Sequence, residues 1–286
     1  MSIAPERSEL LFQKTERDLR RLCSDQRPES VHSYRTSTRR LQTLLEELIP
    51  ERDRNQKKLL KMLGRIRKRA GKVRDLDVQL AALRSLKISQ EPRRKTQLVQ
   101  GLLELRSQHE KKLCKALTKE KMREIRKRLK KAEQELQVES TNDPITVAQR
   151  MLKEASRPAG APTEAVLHQY RTIVKRARYA AEFAAKSAEA TRLIAELKRL
   201  QDAIGNWHDW FTLTNSAAER LGDVNQSSLV AALHNVTGGK YRNAVAILSA
   251  SSARQAGLKA APPSAEPGRK LSAKTAADPE RTTSAA

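Results

Sequence analysis

The stretch His32-Ser33-Tyr34-Arg35-Thr36-Ser37-Thr38-Arg39-Arg40-Leu41 occurs twice in this chain. Its second copy is His168-Gln169-Tyr170-Arg171-Thr172-Ile173-Val174-Lys175-Arg176-Ala177-Arg178-Tyr179, and both read H-x-Y-R-T-x-x-[KR]-R. A helix turns about 100° per residue, so His32, Arg35 and Arg39, at i, i+3 and i+7, share one ridge. His168, Arg171 and Lys175 share another, which Arg178 extends. Opposite these ridges lie Val31, Tyr34, Leu41, Leu45 and Leu48 in the first copy and Leu167, Tyr170, Val174, Ala177 and Ala181 in the second. Each copy therefore predicts an amphipathic helix with His, Arg and Lys on one side and core residues on the other.

The match continues downstream. Leu63 to Ile66, with Gly71 and Asp75 after it, corresponds to Leu197 to Leu200 with Gly205 and Asp209. A second helix follows each His/Arg helix, which predicts an internal duplication of a helix pair and two helical bundles related by a pseudo-twofold. In the first follow-on helix Lys58, Lys61, Arg65, Lys68 and Lys72 step by 3, 4, 3 and 4 residues and form a basic ridge opposite Leu59, Leu63, Ile66 and Val73. Gly71 marks either close helix packing or a kink.

The composition agrees with an all-α chain of long helices. Of 286 residues, 38% are hydrophobic and 31% charged, with only ten Gly and eleven Pro to interrupt helices. Formal net charge is +24. A field of that sign attracts polyanions. Residues 1–143 carry 37 Lys and Arg against 21 Asp and Glu, so they hold twice the net charge of the remainder. Ser140-Thr141-Asn142-Asp143-Pro144 has the turn chemistry of a boundary, which divides the chain into halves 1–143 and 144–251. Residues 252–286, rich in Ala, Ser, Pro, Lys and Thr, predict a disordered tail.

Along the chain, a first helix over 6–23 is expected to bury Leu10, Leu11, Leu19 and Leu22; Ser30 is expected to cap the repeat helix, which Pro50 stops. Further helices are expected near 92–117, 119–131 and 145–156. Thr163 should cap the second repeat helix, with helices near 190–205, 209–221 and 227–249 after it. Cys23 and Cys114 sit at apolar spacing and predict two reduced core thiols of a cytoplasmic protein. The start of the chain has no apolar secretory segment and no window long enough to span a membrane.

The repeated H-x-x-R-x-x-x-[KR]-R motif, each copy followed by a helix ending near G-x-x-x-D, resembles the CHAD domain, the conserved histidine α-helical domain, over residues 6–250. The resemblance implies two helical bundles whose basic ridges face a central groove or pore. It implies binding of inorganic polyphosphate and association with polyphosphate granules. Carried over position by position, the basic ligands fall at His32, Arg35, Arg39, Arg40, His168, Arg171, Lys175 and Arg178; the follow-on ridge adds Lys61, Arg65, Lys68 and Lys72, with Arg199 matching Arg65. The chain departs from the family pattern at Gln42, where the family often has a further Arg. The second follow-on helix has Asp202 and Asn206 in place of Lys68 and Lys72.

The chemistry of the residues fits that implication. Arg offers a planar fork to phosphate oxygens, Lys a point charge, and His a donor whose pKa an anion raises. A ridge repeating every turn matches a linear row of phosphates. Catalysis is not expected. His208-Asp209 reads as a metal-binding dipeptide, but its repeat counterpart is Arg74-Asp75, so the His reads as incidental and the two Asp as partners of ridge cations or helix caps. The segment from Gly64 to Gly71-Lys72 fails as a phosphate-binding P-loop, and no cofactor or metal is expected. The rival class is a non-specific nucleic-acid-binding basic helical protein, against which stands the 3% of aromatic residues available for base stacking.

Overall fold

The computed structural model describes residues 3, 5–88, 91–137, 141–155, 162–222 and 224–260, with side chains as far as Ser251. Nine α-helices follow one another among them: α1 (Pro5–Ser24), α2 (Pro28–Thr43), α3 (Arg54–Ser85), α4 (Pro92–Cys114), α5 (Lys119–Gln134), α6 (Pro144–Glu154), α7 (Glu164–Ala181), α8 (Ala188–Leu221) and α9 (Ser228–Ala260). A π-helical turn, Leu44–Leu48, extends α2. An isolated antiparallel bridge joins Ile3 to Ala184. Beside it, Arg7 Nη1 donates to the carbonyl oxygens of Glu182 and Ala184, 2.6 Å each, so the start of the chain is clasped to the end of α7.

Local chemistry sets the helix starts. Asp53 and Gln56 make a capping box: the Asp53 carboxylate accepts from Gln56 N, and Gln56 Oε1 accepts from Asp53 N. Thr163 caps α7 by accepting from Val166 N, as the sequence predicts. Ser30 does not cap α2. Pro28 takes the first helical position, and Ser30, the third, is buried and donates to Asp25 Oδ2.

Two pairs of expected segments merge into single long helices. The basic ridge and the apolar segment after it are one 32-residue helix, α3, and the segments expected near 190–205 and 209–221 are one 34-residue helix, α8. Gly71 and Gly205 therefore interrupt nothing. Two further expectations are corrected. Leu10 is 59% exposed, and Cys23 and Cys114 are free but exposed, not core thiols. Residues 252–260 continue α9 where a tail is expected, and 261–286 lie outside the described residues.

Packing joins the halves. α2 lies against α7 and α3 against α8, while α2 also packs on α3 and α7 on α8. One apolar cluster draws on both sides of the 143/144 boundary, from Leu19, Tyr34 and Leu63 to Leu167, Val174 and Trp207. A second holds the far ends of α3 and α8 together through Leu76, Leu80, Leu83, Leu98, Leu213 and Leu233. The four central helices are thus fixed along their length by core on both sides of the boundary, and their polar faces are left to meet.

Candidate functional site

On α2 the apolar face (Val31, Tyr34, Leu41) is fully buried, and Ser37 and Thr38 return their hydroxyls to the carbonyl of Tyr34. That fixes the rotation of the helix and turns His32, Arg35 and Arg39 into a cavity of ≈ 370 Å³. α7 is rotated in the same way by Leu167, Val174 and Ala177, and brings His168, Arg171 and Lys175 to the same cavity. α3 contributes Arg74, Asp75 and Gln79; α8 contributes Gln201, His208 and Asp209. Six of the thirteen basic residues singled out in the sequence therefore converge: His32, Arg35, Arg39, His168, Arg171 and Lys175.

The Gly and Asp of the repeat have a direct role. Arg35 lies across α3 at Gly71, where a Cβ would run into its Nη1, and its Nη2 sits 3.6 Å from Asp75 Oδ1. Arg171 lies over α8 in the same sense, with Nη2 3.6 Å from Asp209 Oδ1. A Cβ on Gly205 would stand 3.9 Å from Arg171 Nε, an ordinary contact, so the two crossings differ in tightness. The carboxylates aim the guanidiniums and stop short of hydrogen-bond distance.

Burial, with charge crowding behind it, sets the electrostatics. Arg35, Arg39, Arg74, Arg171 and Lys175 share the cavity with two carboxylates. Burial, then the Arg171 and Arg39 guanidiniums, pushes Lys175 down to about 7. Burial followed by Arg171 and His168 holds His208 at about 3, so it is neutral at physiological pH. Burial with Arg74, Arg35 and Lys175 lowers His32. Arg35 and Arg171 are lowered, burial leading in each case. Asp209 is raised by burial, against the pull of Arg171 and Lys175. Burial is the largest cause of every one of these shifts; neighbouring cations add to it at Lys175, His208, His32, Arg35 and Arg171 and oppose it at Asp209.

The remaining sequence-derived residues lie elsewhere. Arg40 and Arg178 meet at Glu182, with Arg40 Nε 2.7 Å from Oε2 and Arg178 Nη2 3.4 Å from Oε1, and both guanidiniums stand over the Tyr179 ring. Burial works against the charge on Arg40, but the hydrogen bond and charge of Glu182 keep its pKa above the usual value. Lys61, Arg65, Lys68 and Lys72 are exposed along α3 and do not line the cavity. Arg199 is partly buried on α8, outside the lining.

The cavity also holds residues that the sequence reading passed over. His208 is not incidental: its Nδ1 lies 3.4 Å from His168 Nδ1, with ring centroids 4.7 Å apart. Arg74 occupies the matching place before Asp75. The signal was present in the repeat alignment, since each Asp is preceded by a residue able to carry a proton. Of the two roles the sequence offers Asp75 and Asp209, ridge partner or helix cap, the structure has them beside the ridge arginines.

These features define a class, an all-α protein with a cation-lined cavity among four helices. The chain belongs to the CHAD domain family, whose profile matches residues 8–218. Among solved structures it is similar to the crystal structure of the CHAD domain from the plant Ricinus communis, with a TM-score of 0.61 at 19% identity, covering 90% of this chain and 91% of that one. That likeness concerns the fold. A search of curated proteins gives no match. No helix among the described residues is long and apolar enough to cross a membrane.

Proposed function

We propose that the chain binds inorganic polyphosphate in the cavity between α2, α3, α7 and α8, as a binding protein and not as an enzyme. Its place would be at polyphosphate granules. The observation that carries the reading is the convergence of Arg35, Arg39, Arg74, Arg171 and Lys175 from three helices, α2, α3 and α7, on one ≈ 370 Å³ cavity with two carboxylates. Cations crowded in this way repel one another, and a row of phosphate oxygens relieves the repulsion at every contact. Each charge-assisted hydrogen bond contributes about 1.5–3 kcal/mol. The equal 3.6 Å contacts of Arg35 and Arg171 to their aspartates support a duplicated helix pair flanking a central groove.

Competition binding of long polyphosphate against duplex DNA, at matched phosphate and salt, tests this reading. Packed helix axes lie roughly 8–10 Å apart, which leaves no passage for a duplex. Polyphosphate is expected to win, and Arg35→Ala with Arg39→Ala is expected to weaken it and flatten the slope of log affinity against log salt. Equal or tighter binding of DNA at physiological salt would favour the nucleic-acid reading instead.

A further inference from the structure

Lys175 differs in kind from the arginines around it. It is partly buried on α7, one turn after Arg171, and lines the cavity. Arg35 and Arg171 each have an aspartate 3.6 Å away, Asp75 and Asp209. Lys175 has no such neighbour: among the described residues it forms neither an ion pair nor a hydrogen bond. It is also the cavity's only amine side chain, and so the only one of its five Lys and Arg cations that can become a nucleophile by losing a proton.

The charged and titratable groups that meet it come from every helix of the cavity. α2 presents His32, Arg35 and Arg39, α3 presents Arg74 and Asp75, and α8 presents His208 and Asp209. On α7 itself, His168 and Arg171 precede it and Tyr179 follows one turn later. Arg171, Arg39 and Arg35 act against the charge of the amine, and Asp209 supports it. Taking an amine out of water beside like charges favours its neutral form, and the pKa of about 7 agrees. A neutral amine is a nucleophile. One that lies among guanidiniums in a ≈ 370 Å³ cavity meets an electrophile best when that electrophile carries an anionic group.

We infer that Lys175 is an acylation site for acyl phosphates, and that its acylation lowers the affinity of the cavity for polyphosphate. The second part rests on the cavity reading above; the first does not. The phosphate end of the donor lies on the guanidiniums of Arg39 and Arg171, with its carbonyl carbon toward the amine. The nitrogen of Lys175 forms a bond to that carbon. The bond from the carbon to the bridging oxygen breaks, and inorganic phosphate leaves with the proton that the amine gives up. No oxidant, reductant or further reactant is needed. A neutral amide then stands where a cation can form, so the cavity keeps its two carboxylates and loses one of five cations.

The test treats the full chain with acetyl phosphate near neutral pH and follows each lysine by mass spectrometry. Lys175 is expected to be acetylated about tenfold or more faster than the exposed Lys153, Lys186 and Lys198. Excess inorganic phosphate should slow Lys175 about fivefold or more and leave the exposed lysines within about twofold. With N-acetylimidazole, an uncharged donor, the preference for Lys175 should shrink by about threefold or more. No preference for Lys175, no protection by phosphate, or the same preference with the uncharged donor would each overturn the acylation site. Titration with long-chain polyphosphate tests the second part. The treated protein should lose about tenfold in affinity, while treated Lys175→Arg, which forms no such amide, should stay within about threefold of its own untreated value. Equal losses in the two would trace the effect to other lysines and overturn the second part. If the untreated protein binds no polyphosphate, the cavity reading falls and takes the second part with it, and selective, phosphate-protected acetylation of Lys175 would still establish the first.

Discussion

At the scale of single residues, Lys175 is the group whose state the surroundings leave balanced. Arg171, Arg39 and Arg35 act against its charge and Asp209 supports it, with burial the largest influence, and the result is a pKa of about 7. The ordinary lysine value is 10.5. The unfolded chain therefore holds this proton between pH 7 and about 10.5 while the folded chain releases it, so Lys175 makes stability rise with pH across that window. Below pH 7 both states are protonated and that contribution is absent. Binding has the opposite sign: a phosphate favours the charged amine, so affinity should fall as pH rises from about 7, with proton uptake on binding above that point. Lys175→Arg fixes the charge and should remove both the uptake and the pH dependence near neutrality, measured by calorimetry in buffers of different ionisation enthalpy. An unchanged profile in the variant would mean that another group sets it. His208, held at about 3, is neutral in the free protein across this range.

At the scale of elements, the two Gly–Arg–Asp crossings make a matched comparison. Alanine replaces glycine in a helix with a gain of about 0.5–1 kcal/mol. At Gly205 nothing opposes that gain, so Gly205→Ala should be more stable and bind as before. At Gly71 the new methyl displaces the Arg35 guanidinium, the far end of a flexible side chain. Gly71→Ala should therefore stay folded with little change in stability but bind polyphosphate more weakly. Denaturant unfolding and polyphosphate titration of the two variants check this; equal affinities would mean that the position of Arg35 over α3 is immaterial. The crossings were half legible in the sequence. Two motif copies at matching spacing gave the residues and the Arg–Asp pairing, because a cation ridge and a following Asp are one-dimensional patterns. Whether Gly71 permitted packing or a kink was not legible, since either fits a glycine and only the neighbouring helix decides. The Lys58–Lys72 ridge is exposed along one side of α3 and does not line the cavity. It lies to one side of the α3 face that carries Gly71 and Arg74, and helical spacing groups residues on a face without saying which neighbour that face meets. Arg178 sits on a ridge position and Arg40 follows one, but Glu182 at the end of α7 takes them both, and nothing in the motif announces it.

At the scale of the whole molecule, the chain is two halves by motif and one body by packing. The cluster containing Tyr34 and Leu63 also contains Trp207 and Val174, and the second cluster ties α3 and α4 to α8 and α9. All-α class and long helices were legible from composition and periodicity; shared core was not, because periodicity shows which residues are buried and not against what. The only two tryptophans, Trp207 and Trp210, lie on α8, so fluorescence reports the second half while circular dichroism reports helices throughout. If the core is common property, urea unfolding followed by the two signals should give coincident transitions. Separated midpoints, with the fluorescence change displaced from the loss of helix, would show that the halves melt independently.

The clasp at the start of the chain bears on how such measurements are made. Ile3 bridges to Ala184, and Arg7 holds the carbonyls that end α7, the helix carrying His168, Arg171 and Lys175. A bulky fusion or an immobilising tether placed ahead of residue 3 competes with that clasp and pulls on the last turn of the very helix whose ligands are being assayed. Attachment through the opposite end, beyond α9, leaves the clasp alone, so the choice of which end to anchor decides whether a biosensor reads the cavity or disturbs it.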